Sequence, residues 1–211
     1  MKNNLLLSLF ALLALCVSCD ILQFGSPQVT IGGQTDLPAN KVGSTSSGYI
    51  KIDGDPIGIK ANSEVVNNEN GVVDLRITTK LPIEYQHLFI QPYVNPDGTV
   101  DCTLNVINST EGVAVLNSKG EQSVFAQYGA KVGDKWEYKT EDGKKLVRKV
   151  ISKSETDDFE YGFFNIKVTT VEQNMPYPGY KKLIYKYNHK FGMVYFEIHL
   201  EDGSVVSTTV I

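Results

Sequence analysis

Glu197, His199 and Glu201 occupy alternate positions of one stretch, so in an extended chain they share a face at spacings of about 6.6–7 Å. A carboxylate, imidazole, carboxylate row has the donor chemistry of a divalent-cation site. A solvated strand face with alternating charges gives the same pattern and is the expectation here. His87 and His189 have no companions at ligand spacing. Asp53-Gly54-Asp55 opens like a calcium loop, but Pro56 and the lack of further carboxylates through residue 63 make it a polar hairpin turn. Cys102 alternates in step with Val100, Leu104 and Val106, where a thiol acts as a small hydrophobe rather than a nucleophile.

Tyr177, Tyr180, Tyr185, Tyr187 and Tyr195 form the densest aromatic group. Exposed tyrosines stack on sugars or peptides, so Tyr177, Tyr180 and Tyr195 are the candidate ligand-binding residues, while Tyr185 and Tyr187 flank Lys186 and are expected to pack inward with Leu183. Lys144, Lys145, Arg148, Lys149, Lys153, Lys181, Lys182, Lys186 and Lys190 are interleaved with acids; they read as a solvated edge that blunts sheet pairing. A formal charge of −4 excludes a dedicated nucleic-acid binder. No nucleophile elbow, His-Glu-x-x-His, phosphate loop or dinucleotide glycine motif occurs. The expectation is a non-enzymatic protein with no cofactor and no metal.

The elements that must position these residues are strands. Val73, Leu75 and Ile77 alternate with polar residues, as do Trp136 and Tyr138, Phe164, Ile166 and Val168, and Val194, Phe196, Ile198 and Leu200. This is the period of half-buried strands. Asn70-Gly71, Pro96-Asp97-Gly98, Asp142-Gly143, Pro178-Gly179 and Asp202-Gly203 punctuate them with turn residues. With 42% hydrophobic and 10% aromatic residues over 211 positions, the chain is neither disordered nor a polytopic membrane protein.

The amino terminus has its own logic. Lys2 precedes an apolar run over residues 5–17, about 20 Å as a helix and short of the ~30 Å hydrocarbon core. Residues 1–18 therefore read as a signal peptide. Leu15-Cys16-Val17-Ser18-Cys19-Asp20 resembles the lipobox of bacterial lipoproteins: Ser18 matches the small residue before the cut, and Cys16 departs from the usual Leu. The resemblance implies that Cys19 is the lipidation site, carrying diacylglycerol on its thiol and an acyl chain such as palmitate on its new amino group. It implies a partner membrane, held through the lipid anchor, and a place in the bacterial cell envelope, on the periplasmic or surface face of the outer membrane. Asp20 would specify inner-membrane retention under the sorting rule of enteric lipoproteins, so the choice of membrane stays open.

Residues 19–47 are rich in Gly, Ser, Thr, Gln, Asn and Pro and read as a flexible lipidated tether, reaching roughly 30 Å. Beyond it, residues 48–125 hold 5 basic and 10 acidic side chains, and residues 126–211 hold 13 and 12. That shift suggests a boundary. The expected fold is all-β: an antiparallel, immunoglobulin-like β-sandwich over 48–125, then an antiparallel meander or half-barrel over 126–211, with a single continuous β structure as the alternative. Gly133-Asp134-Lys135-Trp136-Glu137-Tyr138 and the later Gly192-Met193-Val194 resemble the Gly-x-x-Trp-x-Tyr type of uncharacterised C-terminal β domain in bacterial lipoproteins, which implies a fold but no reaction.

The function expected from these features is a membrane-anchored envelope lipoprotein with a non-catalytic binding or structural role. A surface lipoprotein binding a glycan, a small ligand or an envelope protein is the alternative. A metal-assisted hydrolase would need converging carboxylates and histidines that the linear pattern lacks.

Overall fold

The computed structural model describes residues 29–83, 94–139 and 143–211. The signal segment 1–18, Cys19, residues 20–28 of the tether and His87 lie outside the described residues.

Alternation and turn chemistry build the first hairpins. β1 (Thr45–Ile52) and β2 (Asp55–Glu69) are joined by Asp53-Gly54, and β2 and β3 (Val72–Lys80) by Asn70-Gly71; all four turn residues have positive φ, the two-residue turn that matches strand twist. Asp53-Gly54-Asp55 is thus a hairpin turn, and the Asp53 carboxylate accepts from the Val205 amide at 2.8 Å. β4 (Thr99–Asn108), β5 (Gly112–Leu116) and β6 (Gln122–Gln127) follow, then β7 (Lys135–Lys139) and β8 (Lys145–Lys153). A small separate hairpin pairs β9 (Phe159–Tyr161) with β10 (Phe164–Ile166), and β11 (Thr169–Asn174), β12 (Tyr180–Asn188), β13 (Gly192–Leu200) and β14 (Val205–Thr209) complete the chain.

The all-β, antiparallel architecture follows the alternation. Twelve strands make one sheet in the order β6-β5-β4-β3-β2-β1-β14-β13-β12-β11-β8-β7, nearly closed into a barrel-like shape, and the β9-β10 hairpin is a second sheet. An immunoglobulin-like sandwich would shuttle strands between two sheets; β1 to β6 instead lie side by side in sequence order. The two halves join where β1 pairs with β14, Ile50 opposite Thr208. One apolar core includes Ile50, Leu104, Phe125, Trp136, Leu183 and Phe196, and the boundary expected near residue 125 falls inside β6. A charge shift along a chain reports surface composition, which a ladder hydrogen bond does not sense.

Residues 29–44, expected as tether, run against the sheet. Ile31 is buried, its amide donating to the Gln122 side chain at 2.8 Å. Buried Asn40 donates to the carbonyls of Thr35 and Asn108, both at 2.7 Å, and its own carbonyl accepts from Asn68 at 2.9 Å. Polar composition alone does not distinguish a free tether from a strap held by side-chain to main-chain hydrogen bonds.

The free edge of β6 is covered from inside. Indole Nε1 of Trp136 (2.7 Å), the Tyr138 hydroxyl (2.9 Å) and the Arg148 guanidinium all donate to the Val124 carbonyl, while the hydroxyls of Tyr185 and Tyr187 donate at 2.8 Å to the carbonyls of Phe125 and Gln127. Side chains from β7, β8 and β12 thus satisfy an edge that would otherwise offer unpaired acceptors.

Candidate functional site

Among the inward positions of β1 and β2 that line the cavity, four are small, Ser46 and Gly48 on one strand and Ala61 and Ser63 on the other, with Val65 beside them. Across the lumen stand large ones: Leu104, Phe125 and Phe196. The mismatch leaves a cavity of about 210 Å³ between the concave face of β1–β5 and the start of β13. Gly48 is required there for a second reason. A Cβ on it would lie 2.4 Å from the Thr209 carbonyl and 2.5 Å from Thr208 Oγ1, so any larger residue would push β14 away from β1.

Among the described residues, the cavity wall carries no formally charged side chain. Its polar groups are amides and hydroxyls. Asn40 and Asn108 are tied to each other at 2.9 Å, and Ser46 and Ser63 share a hydrogen bond of 2.6 Å. Thr208 differs: its side chain is 4% exposed and Oγ1 has no hydrogen-bond partner among the described residues. A buried hydroxyl left unpaired is costly, and this one borders the cavity. Such a wall suits an uncharged, mainly apolar molecule with one polar group.

The candidate tyrosines do not assemble into one platform. Tyr180 is 3% exposed in the main core, and burial pushes its phenol up. Tyr177 packs half-buried on the same core with the Lys144 ammonium 4.3 Å above its ring. Tyr195 belongs to a separate cluster, edge-on to Phe159 with ring centres 5.9 Å apart. Its hydroxyl donates to Glu197 at 2.6 Å, and burial first, then that hydrogen bond, pushes the phenol up to about 12.

The Glu197, His199, Glu201 row lies on the outer sheet face but does not converge. Glu197 contacts the His199 ring, whereas Glu201 accepts from the Gly179 amide at 3.1 Å. Among the described residues no three His, Cys, Asp or Glu side chains gather to hold a metal ion. Cys102 is half-buried against the main core, the inward position its alternation predicts, but its sulfur is disulfide-bonded and is not the free thiol expected of it.

Within the basic cluster, Lys145 pairs with Glu137 at 2.6 Å and Lys182 with Glu172 at 2.8 Å. Arg148 departs from the solvated edge expected of it. It is 1% exposed, donates to Gln173 at 2.6 Å and to Ser123 at 3.2 Å, and its guanidinium lies 3.7 Å from the Phe125 ring centre and 4.5 Å from that of Tyr138. The signal was present: Leu146, Arg148 and Val150 alternate inward, but a positive charge among lysines reads as surface.

No protein-family model, curated protein or solved structure matches the chain.

Proposed function

We propose that this is a membrane-anchored envelope lipoprotein, non-catalytic, whose barrel-like body binds a small uncharged apolar ligand. The observation that carries the binding role is the 210 Å³ lumen with an uncharged wall and one unpaired hydroxyl, Thr208. Apolar cavities of about 150 Å³ hold a benzene ring, so this one suits a molecule somewhat larger than a single ring. Thr208 supplies the orienting hydrogen bond, the usual division of labour in ligand pockets. The anchor rests on the lipobox-like Ser18-Cys19 and the short apolar run before it. With residues 29–44 strapped to the sheet, the ten residues 19–28 hold the body within about 35 Å of an anchor at Cys19.

Two measurements test this reading. Emission of 1-aminonaphthalene, an uncharged two-ring probe, should shift to the blue on adding the protein and return with Ala61→Leu, which fills the lumen; a response indifferent to Ala61→Leu overturns the ligand role. Cys19→Ala should abolish incorporation of labelled fatty acid and release the chain from the membrane fraction. Normal acylation in that variant removes the anchor.

A further inference from the structure

The β9-β10 hairpin folds over the outer face of β11–β13, against a small core of Ile166, Val168 and Val194. A bulge makes room for it: Lys186 pairs with Tyr195 and Tyr187 with Met193, so Val194 is the extra residue and joins the hairpin cluster while Met193 stays with the main core. At the tip, Gly162 takes φ +65, the first central position of a two-residue turn. Phe163 then projects with 107% relative exposure, and Phe164 beside it is 51% exposed. Beneath them Phe191 stacks on Tyr161 at 5.0 Å and on Phe164 at 5.7 Å, and the same Phe191 lines the lumen.

We propose that the β9-β10 hairpin is a lipid-surface contact: Phe163 and Phe164 dip into the headgroup region of the bilayer and set the Phe191 side of the cavity against the membrane, from which the apolar ligand is drawn. The inference rests on the anchor proposed above. Phe163 with the exposed half of Phe164 offers about 300 Å² of apolar surface, well under the ~800 Å² per partner of a stable protein interface, but enough for shallow insertion of aromatic rings, which favour the membrane boundary. Lys190 lies over Phe191 at 5.2 Å, and Lys186 lies over Phe159 at 4.6 Å and Tyr195 at 5.2 Å, which places two cations beside the aromatic cluster. Asp157, Asp158 and Glu160 flank the same hairpin, so the contact suits zwitterionic lipid and should not depend on anionic lipid or salt.

The test uses the full chain carrying Phe163→Trp, reconstituted in phosphatidylcholine vesicles whose acyl chains are brominated. The introduced indole should emit to the blue of its vesicle-free value and lose emission to the bromolipid, while buried Trp136 of the parent protein is unaffected. Flotation of a Phe163→Ser variant with the same vesicles reports the anchor separately. A protein that floats but whose introduced indole stays red-shifted and iodide-quenched overturns the hairpin contact and leaves the anchor standing. Failure of both variants to float overturns both. A blue shift of the introduced indole without vesicles would assign the tip to a second copy of the chain and overturn the lipid contact.

Discussion

The guanidinium of Arg148, on β8, donates to the main-chain carbonyl of Val124, on β6, linking the next-to-last strand of the sheet order to the first. No carboxylate among the described residues pairs with this buried cation; the rings of Phe125 and Tyr138 and neutral acceptors surround it instead. A planar guanidinium can stack and donate in several directions at once, as an ammonium cannot. Arg148→Ala should therefore cost roughly 3–5 kcal/mol, combining a cavity with orphaned acceptors. Arg148→Met, which fills the space, should cost less, and Arg148→Lys should not restore stability. Urea unfolding of the three variants measures the order, and a fully stable alanine variant would remove Arg148 from the closure of the sheet.

Trp136 stands beside it, 4% exposed and hydrogen-bonded to the same carbonyl. Trp136→Ala should cost roughly 3–5 kcal/mol, whereas Trp136→Phe should cost about 1 kcal/mol, because Tyr138 and Arg148 still donate to Val124. Since β1 pairs with β14 and one core spans both halves, calorimetry of Trp136→Ala should show one transition at lower temperature. Residues 48–125 expressed alone should lack a cooperative transition, their β1 and β6 edges being uncovered. An unshifted N-terminal transition would show two independent units.

Thr208 and Gly48 should respond in opposite directions. Thr208→Val keeps the shape and removes an unpaired hydroxyl, so it should stabilise the protein by about 1 kcal/mol while weakening a ligand that hydrogen-bonds there. Gly48→Ala forces a methyl group against the Thr209 carbonyl and should destabilise by about 1–3 kcal/mol. Thermal melts with and without an apolar probe measure both effects.

Burial first pushes the phenols of Tyr128, Tyr187 and Tyr195 up to about 12. Each proton is held more tightly in the folded chain than in the unfolded one, where tyrosine titrates near 10. Their contribution to stability is complete below about pH 10, falls as the unfolded state loses protons that the fold retains, and is gone once the folded phenols ionise near pH 12. Urea midpoints should drop over that window, and tyrosinate absorbance should show a late-titrating group that moves to about pH 10 in denaturant. A single native titration near pH 10 would contradict this.

Strand positions were legible because their cause is local. Residues 73–77, 135–139 and 195–200 alternate with the period of a pleated chain, and Asn70-Gly71 and Asp202-Gly203 mark the turns. Local too is the inward position of Cys102, Tyr185 and Tyr187, each on the apolar face of its strand. Strand partnership is not local. That β1 meets β14, that a bulge moves Val194 to the outer face, and that Tyr180 and Tyr195 face opposite ways all depend on register between strands distant in sequence. The lumen likewise exists only because small residues on β1 and β2 face large ones on β4, β6 and β13. Arg148 shows the same division most sharply: alternation pointed it inward, but only the assembled sheet supplied the carbonyls and rings that let a buried cation stay there, since desolvating a charge is tolerable only where partners already stand in place.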